Sequence, residues 1–434
     1  MSAISFKHIS VLFSKTPVLK KLSHNLISQG SIFTGKWIFN FTLAKLLPPY
    51  LFGIFTFTQA LGNFLMNCFS FGAVSHLIHG ISEDKSSAFS QLQKSLNITV
   101  RIVIVASLVW LAALLLEADI PNLNYLFWAI IIGGVMSLNA QVFAFFKGLG
   151  EFSKEAKAAQ VFCASSIVIV LGFWFFSIVE NIHILLASFC VLQCILLAKG
   201  IGFIKEWRVT SGYVKASVKK DYWKEKIPFG LHEIQGAFYI HVIILILGLM
   251  VPEEQLAMYR SVQLFITPVS LLPSVVSQVT LNRLSALKDS PLKQIKTFRK
   301  FLLAVSSIGL LLFIAYGLFG GMLINYAYDY KFDVETVNYL IMCFSAAFML
   351  RFISSNYGVI ITSAGKQSIR VLMTFLSIVV SVSVTYILTK SMGVKGAALA
   401  GVASFGVITI GYSIYCEAIL FKQLRKNASN NFRS

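Results

Sequence analysis

The stretch Ser31–Leu47, SIFTGKWIFNFTLAKLL, has the composition of a membrane-spanning helix but carries a lysine near its middle. An α-helix needs about 20 mainly apolar residues to cross the hydrocarbon core of a bilayer. A cation at the centre of such a helix costs roughly 2.5–3.5 kcal/mol on insertion scales. Lys36 therefore predicts a membrane helix that has one face against protein, water or a ligand.

The composition of the whole chain indicates the same class. It has 434 residues, of which 56% are hydrophobic and 13% are charged, whereas an average soluble domain is about 25% charged. The sequence therefore predicts a polytopic membrane protein. The formal net charge of +19 would suit a nucleic-acid-binding protein. The lysines and arginines lie mostly in loops between apolar segments, however, so we expect no nucleic-acid partner.

Apolar segments separated by short polar breaks predict an all-α fold with about 12 transmembrane helices. The predicted spans are 24–46, 50–78, 98–118, 124–147, 158–179, 182–203, 228–250, 255–281, 301–321, 336–363, 367–389 and 396–420. Most of the 37 lysines and arginines fall on one side of this arrangement, and the opposite loops contain only Lys331, Lys390 and Lys395. Because positive residues are enriched in cytoplasmic loops, both termini are predicted to be cytoplasmic.

The longest internal polar segment, which begins KEWRVTSGYVK at Lys205, divides the spans into two sets of six. The predicted organisation is a cytoplasmic N-terminal leader (1–23), an N-terminal six-helix lobe (24–204), a cytoplasmic linker (205–227), a C-terminal six-helix lobe (228–421) and a cytoplasmic tail (422–434). Gln59 aligns with Gln263, and Gly150 with Gly365, in similar local sequences and in the same order. These matches predict a duplication with parallel repeats, related by an axis along the membrane normal.

The region 25–61 combines a Gln-Gly pair, a mid-helix cation, the tetrapeptide LAKL and then FG followed by QAL. With the predicted span count, the central linker and the turns GLG (148–150) and SAG (363–365), this pattern resembles polysaccharide repeat-unit flippases of the Wzx type. These flippases belong to the multidrug/oligosaccharidyl-lipid/polysaccharide exporter superfamily. The leader of the chain is longer than we expect in that family.

The resemblance implies a V-shaped bundle of two six-helix lobes, as in multidrug exporters of the MATE type, around a cavity that opens alternately to each side. It implies transport of undecaprenyl-diphosphate-linked oligosaccharides to the outer leaflet of a bacterial inner membrane. The products would be surface polysaccharides such as O-antigen of lipopolysaccharide, capsule or exopolysaccharide. The expected partners are membrane lipids, a polysaccharide polymerase and a chain-length regulator, and we expect no cofactor.

Polar residues inside the predicted spans are the candidate substrate-binding residues. Gln29, Lys36 and Asn40 fall on one face of the first helix, because successive helical residues turn by about 100°. Lys36 and Arg351, which lies near the middle of its span, could hold the diphosphate or acidic sugars, because cations pair with phosphate oxygens. Arg260, near an outer span end, is a third candidate. The alternative for Lys36 is that it snorkels or pairs with a carboxylate, and the alternative for Arg351 is a structural bond between helices.

The seventh predicted span, 228–250, carries Glu233 and His241. Glu233 could be a proton- or cation-coupling site, or the salt-bridge partner of a cation such as Lys36, and the sequence leaves both open. His241 lies in mid-span. We count it as a candidate binding residue, and the alternative is a hydrogen-bonded packing residue.

The sequence favours a transporter over an enzyme, because it contains neither paired intramembrane carboxylates nor a Walker or H-E-x-x-H motif. The six cysteines have no metal-ligand spacing. The main alternative function is an ion-coupled multidrug or cation antiporter of the same fold. Such a carrier would use carboxylates in the first lobe, where this chain has Lys36. A lipid II flippase is the other alternative, although we expect two additional helices there.

Overall fold

The computed structural model describes residues 17–116, 123–176, 181–210, 222–285, 287, 290–329 and 331–431. All regular secondary structure in these residues is helical, which confirms the predicted all-α class. The first eight helices are α1 Pro17–Leu46, α2 Pro49–Ser70, α3 Ala73–Glu83, α4 Ala88–Leu115, α5 Leu123–Leu149, α6 Phe152–Phe176, α7 Ile182–Thr210 and α8 Tyr222–Met250. The other eight are α9 Glu253–Ile266, α10 Leu271–Ser285, α11 Pro291–Ala315, α12 Gly321–Ala327, α13 Val334–Ser363, α14 Gln367–Met392, α15 Val394–Tyr415 and α16 Phe421–Asn431.

Short irregular helical turns join some of these helices within one span. Tyr316–Gly320 and Cys416–Leu420 are π-helical and continue α11 into α12 and α15 into α16. Thr267–Ser270 is a 3₁₀ turn between α9 and α10. The predicted span 50–78 is not one continuous helix, because α2 and α3 meet at an angle of 42°.

The predicted total of twelve spans is not confirmed. Among the described residues, nine helices are long and apolar enough to cross a membrane, and the bent pair of α2 and α3 makes ten if it counts as one span. The predicted spans 24–46 and 255–281 are outside this set. The first lies in α1, a continuous helix whose apolar sequence is interrupted by polar residues. The second is divided into helices of 14 and 15 residues.

The ends of the predicted segments also shift. Helix α1 begins at Pro17, so the last residues of the predicted leader are helical. The predicted linker 205–227 is helical at both ends, in α7 and α8, and its middle part, 211–221, lies outside the described residues. The predicted tail is helical through Asn431.

The chain forms two compact units. Unit one comprises Met1–Leu47 and Ile54–Ala237, and unit two comprises Pro48–Gly53 and Phe238–Ser434. The chain passes from unit one to unit two inside helix α8. The lobe boundaries given by the sequence stay a prediction.

Close helix packing and an aromatic cluster form the core of unit one. Helix α1 packs against α6, and a Cβ added at Gly35 would lie 3.0 Å from the Cα of Cys163. The rings of Phe39, Phe55 and Phe189 contact one another, with centroids 5.6–6.0 Å apart. All three rings are buried, so α1, α2 and α7 are held together by apolar burial.

Unit two has its own core around α13. Phe298 of α11 packs on Tyr357 of α13 and on Phe421 of α16, with ring centroids 5.3 and 5.5 Å apart. A buried hydrogen bond joins α14 and α15, because the Ser377 hydroxyl lies 2.9 Å from the carbonyl oxygen of Ser404. These contacts place the middle of α13, and with it Arg351, among the helices of unit two.

Two turns have the same hydrogen-bond pattern in the two units. Gly150 and Gly365 adopt φ of 82° and 74°, a region that glycine enters without steric cost. The amides of Gly150 and Glu151 bond the carbonyls three and five residues back, and the amides of Gly365 and Lys366 do the same. This geometry terminates a helix with the Schellman pattern and agrees with the predicted alignment of Gly150 with Gly365. The duplication of the whole half stays a prediction.

Candidate functional site

Lys36 lies half-buried in the middle of α1, in unit one. Its side chain forms no hydrogen bond or salt bridge with any residue that the structure describes. Asn40 is 3% exposed, and its amide donates to the carbonyl oxygen of Lys36 at 2.7 Å, while its own Oδ1 has no partner in the described part of the chain. Gln29 is exposed. The polar face of α1 thus runs from an exposed amide to a buried one, with Lys36 between them.

Glu233 has definite partners at the start of α3. One carboxylate oxygen accepts from the Ser75 amide at 3.1 Å and from the Ser75 hydroxyl at 2.7 Å, and the other accepts from the Gly72 amide at 3.1 Å. Fully buried Lys226 interacts electrostatically with the same carboxylate. Lys36 is not among these partners, so the structure does not contain the Lys36–Glu233 salt bridge that the sequence left open.

Arg351 lies half-buried in α13, in unit two. Its guanidinium carbon is 5.9 Å from the centroid of the Phe348 ring, and its charge interacts with the Tyr239 hydroxyl of α8. The Tyr239 ring in turn packs edge-on against Phe405 of α15, with centroids 5.8 Å apart. Within the described residues, no carboxylate lies within salt-bridge distance of Arg351. A desolvated guanidinium beside aromatic rings retains its donors for an anion.

The other two predicted binding residues of unit two are Arg260 and His241. Arg260 of α9 donates from Nη1 to Oε1 of Gln263 on the same helix, at 2.7 Å, and its buried Nε has no partner in the described part. Its charge interacts electrostatically with Tyr259 and Tyr328. His241 is half-buried in α8.

The structure places Gln29, Lys36, Asn40 and Glu233 in unit one, and His241, Arg260 and Arg351 in unit two. Sequence reasoning missed Lys226, which it assigned to the linker, and Ser75 and Gly72 as partners of Glu233. The dipeptide Phe71–Gly72 is the signal that could have indicated a helix break within the predicted span 50–78. In the described residues, no group of three histidine, cysteine or acidic side chains could hold a metal ion.

Comparisons with known structures show the fold. The chain is similar to an inward-facing multidrug resistance MATE family transporter of the MOP superfamily, with a TM-score of 0.70, 13% identity and coverage of 93% of this chain and 99% of that one. It is also similar to the lipid II flippase MurJ in an inward closed conformation, with a TM-score of 0.66, 13% identity and coverage of 94% and 90%. A third similar structure is a MOP superfamily transporter from Pyrococcus furiosus, with a TM-score of 0.56, 13% identity and coverage of 95% and 98%.

No protein of curated function matches the sequence. The family model described as polysaccharide biosynthesis protein matches residues 18–288, a range that extends from the second residue of α1 beyond the end of α10 and includes the two cations Lys36 and Arg260. That range is more than half of the chain, so this multi-pass membrane protein belongs to the polysaccharide biosynthesis protein family and has the fold of MATE-type transporters.

Proposed function

We propose that the protein is a flippase that moves undecaprenyl-diphosphate-linked oligosaccharide repeat units from the cytoplasmic to the outer leaflet. Membership of the polysaccharide biosynthesis family supports a glycan substrate, and the likeness to MurJ supports a lipid-linked one. Alternating access of two lobes would expose the substrate to each side in turn. The drive would come from an ion gradient, the membrane potential or the substrate gradient, since the sequence has no ATP-binding motif.

The observation that carries this proposal is the charge inside the predicted spans. Lys36 and Arg351 are half-buried cations without a carboxylate in reach among the described residues. Each costs roughly 2.5–3.5 kcal/mol if it lies at the membrane centre. An anionic substrate group would offset that cost, because ammonium and guanidinium groups form charge-assisted hydrogen bonds with phosphate oxygens. Arg260, Gln29, Asn40 and His241 would add contacts to the diphosphate or the sugars.

The second candidate function is multidrug or cation antiport, which the likeness to MATE transporters supports. A cation substrate needs an available carboxylate at membrane depth. In unit one, Glu233 is already bonded to two backbone amides and a hydroxyl. The charge of the remaining polar positions therefore favours an anionic substrate. Lipid II flipping is a third candidate, because lipid II is also a saccharide linked to undecaprenyl diphosphate.

The same proposal includes location and partners. The cell location would be a bacterial inner membrane with both termini cytoplasmic, because the positive residues concentrate on one side of the predicted spans. A polysaccharide polymerase and a chain-length regulator would act on the product. We propose no catalytic activity and no cofactor.

The direct test is binding of a purified undecaprenyl-diphosphate oligosaccharide to the wild type, Lys36→Ala and Arg351→Ala. Lys45→Ala, at the exposed end of the same helix α1, and Arg283→Ala, exposed in α10, are the matched controls. We expect the first pair to lose binding and the second pair to keep it, with all four folded by thermal unfolding. Unchanged binding in folded Lys36→Ala and Arg351→Ala would contradict the proposal. Tighter binding of an organic cation, or of lipid II, by the wild type would select the corresponding alternative.

A further inference from the structure

The break between α2 and α3 is strained. Phe71 and Gly72 have φ of 40° and 76°, and the two helices meet at 42°. A positive φ is costly for phenylalanine, and strained backbone persists only where surrounding contacts enforce it. The contacts around Phe71 and Gly72 should therefore reveal what keeps the second span bent.

One set of contacts provides a hydrogen-bond donor for a backbone carbonyl at the end of α2. The carbonyl oxygen of Phe69 would accept from the amide four residues later in a continuous helix, but the break removes that donor. The Thr99 hydroxyl of α4 donates to this oxygen at 3.3 Å, and Gln141 of α5 donates to Thr99 at 2.7 Å. Gln141 also accepts from the Ser95 hydroxyl at 2.8 Å. This buried network joins α4 and α5.

The backbone amides at the start of α3 have their acceptor in a distant part of the chain. The first amides of a helix have no intrahelical acceptor, and at the start of α3 those of Gly72 and Ser75 donate to the Glu233 carboxylate of α8. Glu233 is separated from these residues by 161 and 158 positions. A carboxylate at a helix N-terminus is also favoured by the helix dipole.

The start of α8 fits tightly over the break. A Cβ added at Gly72 would collide with the backbone of Gly230, and one added at Gly230 would lie 2.8 Å from the Phe71 ring. The Phe229 ring contacts the rings of both His76 and His79 of α3, with centroids 6.2 and 6.1 Å away. Gly72 and Gly230 thus allow the backbones at the starts of α3 and α8 to approach each other. Glu233 links the two helices by hydrogen bonds. We call Gly72, Ser75, Gly230 and Glu233 the latch.

Helix α8 has a weak point directly after the latch. Gly236 stands immediately before Ala237, where unit one ends and the chain enters unit two. A Cβ added at Gly236 would meet nothing within 4 Å among the described residues, so packing does not require a glycine there. Glycine weakens a helix through its backbone freedom. The position therefore gives α8 a place to bend.

We propose that the latch is a conformational switch. In the closed state, Glu233 holds the first turns of α8 on the bent second span, and transport requires the latch to open while α8 bends at Gly236. The opening step rests on the proposed transport function, whereas the closed contact does not. The switch acts through geometry and hydrogen bonds that the substrate need not touch.

The first test traps the closed state. In a variant with its six native cysteines replaced, Ser75→Cys and Glu233→Cys are joined by a short bifunctional methanethiosulfonate reagent. We expect the cross-linked protein to bind undecaprenyl-diphosphate oligosaccharide normally but to transport it at least tenfold more slowly, with recovery after reduction. The control pair is Lys147→Cys with Glu155→Cys, which replaces a salt bridge of 3.1 Å between α5 and α6, and its cross-link should leave transport unchanged. Full transport by the cross-linked latch would overturn the proposal.

The second test needs no substrate. Hydrogen exchange of the wild type in nanodiscs should show residues 72–75 and 229–233 opening together, as one correlated event. Protection of both segments equal to that of the α5 core, or exchange of the two segments in unrelated events, would refute the switch. If the wild type transports no lipid-linked oligosaccharide while correlated opening is seen, the proposed substrate is wrong and the switch stands.

Discussion

Glu233 and Lys36 are both charged residues of unit one within predicted spans, but their side chains differ in their hydrogen-bond partners. The Glu233 carboxylate accepts three hydrogen bonds and holds two segments of the chain together. The Lys36 ammonium forms no hydrogen bond or salt bridge with a residue that the structure describes. A half-buried charge without a partner is a cost to folding, so the comparison separates a charge that the fold uses from one that the described contacts leave unpaired.

The largest effect should come from the surface on which Glu233 docks. Gly72→Ala should lower the free energy of unfolding by more than about 2 kcal/mol, because the residue has a positive φ and its Cβ would collide with Gly230. Gly365→Ala is the matched control, since Gly365 has a similar φ of 74° but nothing within 4 Å of its Cβ in the described structure. Thermal unfolding in detergent measures both variants. Equal losses at the two positions would show that the approach to Gly230 contributes nothing.

Lys36→Ala should change function and stability in opposite directions. We expect affinity for an undecaprenyl-diphosphate oligosaccharide to fall about 10–100-fold, since a hydrogen bond to a charged group is worth about 1.5–3 kcal/mol. The midpoint of thermal unfolding should stay the same or rise, because an unpaired half-buried cation is removed. Binding and unfolding are measured on the same preparation. A lower midpoint with unchanged affinity would mean that Lys36 serves the fold as Glu233 does.

Glu233→Gln should show the reverse pattern. The amide keeps one acceptor oxygen but turns an N–H toward the amide of either Gly72 or Ser75, so we expect a loss of about 1–3 kcal/mol in stability. Affinity for the lipid-linked oligosaccharide should stay close to that of the wild type. Glu254→Gln is the control, because Glu254 is an exposed carboxylate in the first turn of α9. A binding defect in Glu233→Gln without a stability defect would mean that Glu233 contributes to substrate binding and not to the stability of the fold.

The smallest effect is expected at Asp333, which extends the comparison to a charged residue exposed to water. It caps α13, accepting from the Thr336 amide at 2.8 Å, and hydrogen bonds from the Thr336 hydroxyl and amide lower the pKa of its carboxyl below 3.8. Because the folded pKa is depressed, the stabilisation is present above the ordinary pKa and is lost as pH falls through the folded value. Asp333→Asn should remove this acid-dependent part of stability. Identical pH profiles of the variant and the wild type between pH 5 and pH 2, roughly the window of such a titration, would contradict this assignment.

Local patterns predicted much of the fold because helices are determined by nearby residues. The predicted span 336–363 differs from α13, Val334–Ser363, by two residues at one end. The cation in the first helix and the turns at Gly150 and Gly365 were also visible, since each depends on residue type and local spacing. The bend in the span predicted at 50–78 was missed, because its strain at Phe71 is enforced by α4, α5 and α8.

The sequence by itself determined the membrane class, the helical fold and the presence of cations inside the predicted spans, because hydropathy and helical periodicity are properties of short segments. Only the tertiary structure decided which charges have partners. Glu233 bonds residues 161 and 158 positions earlier, and no local pattern records such a distance. Whether a buried charge stabilises the fold or stays available to a ligand depends on three-dimensional contacts, because its energy is set by the groups that surround it.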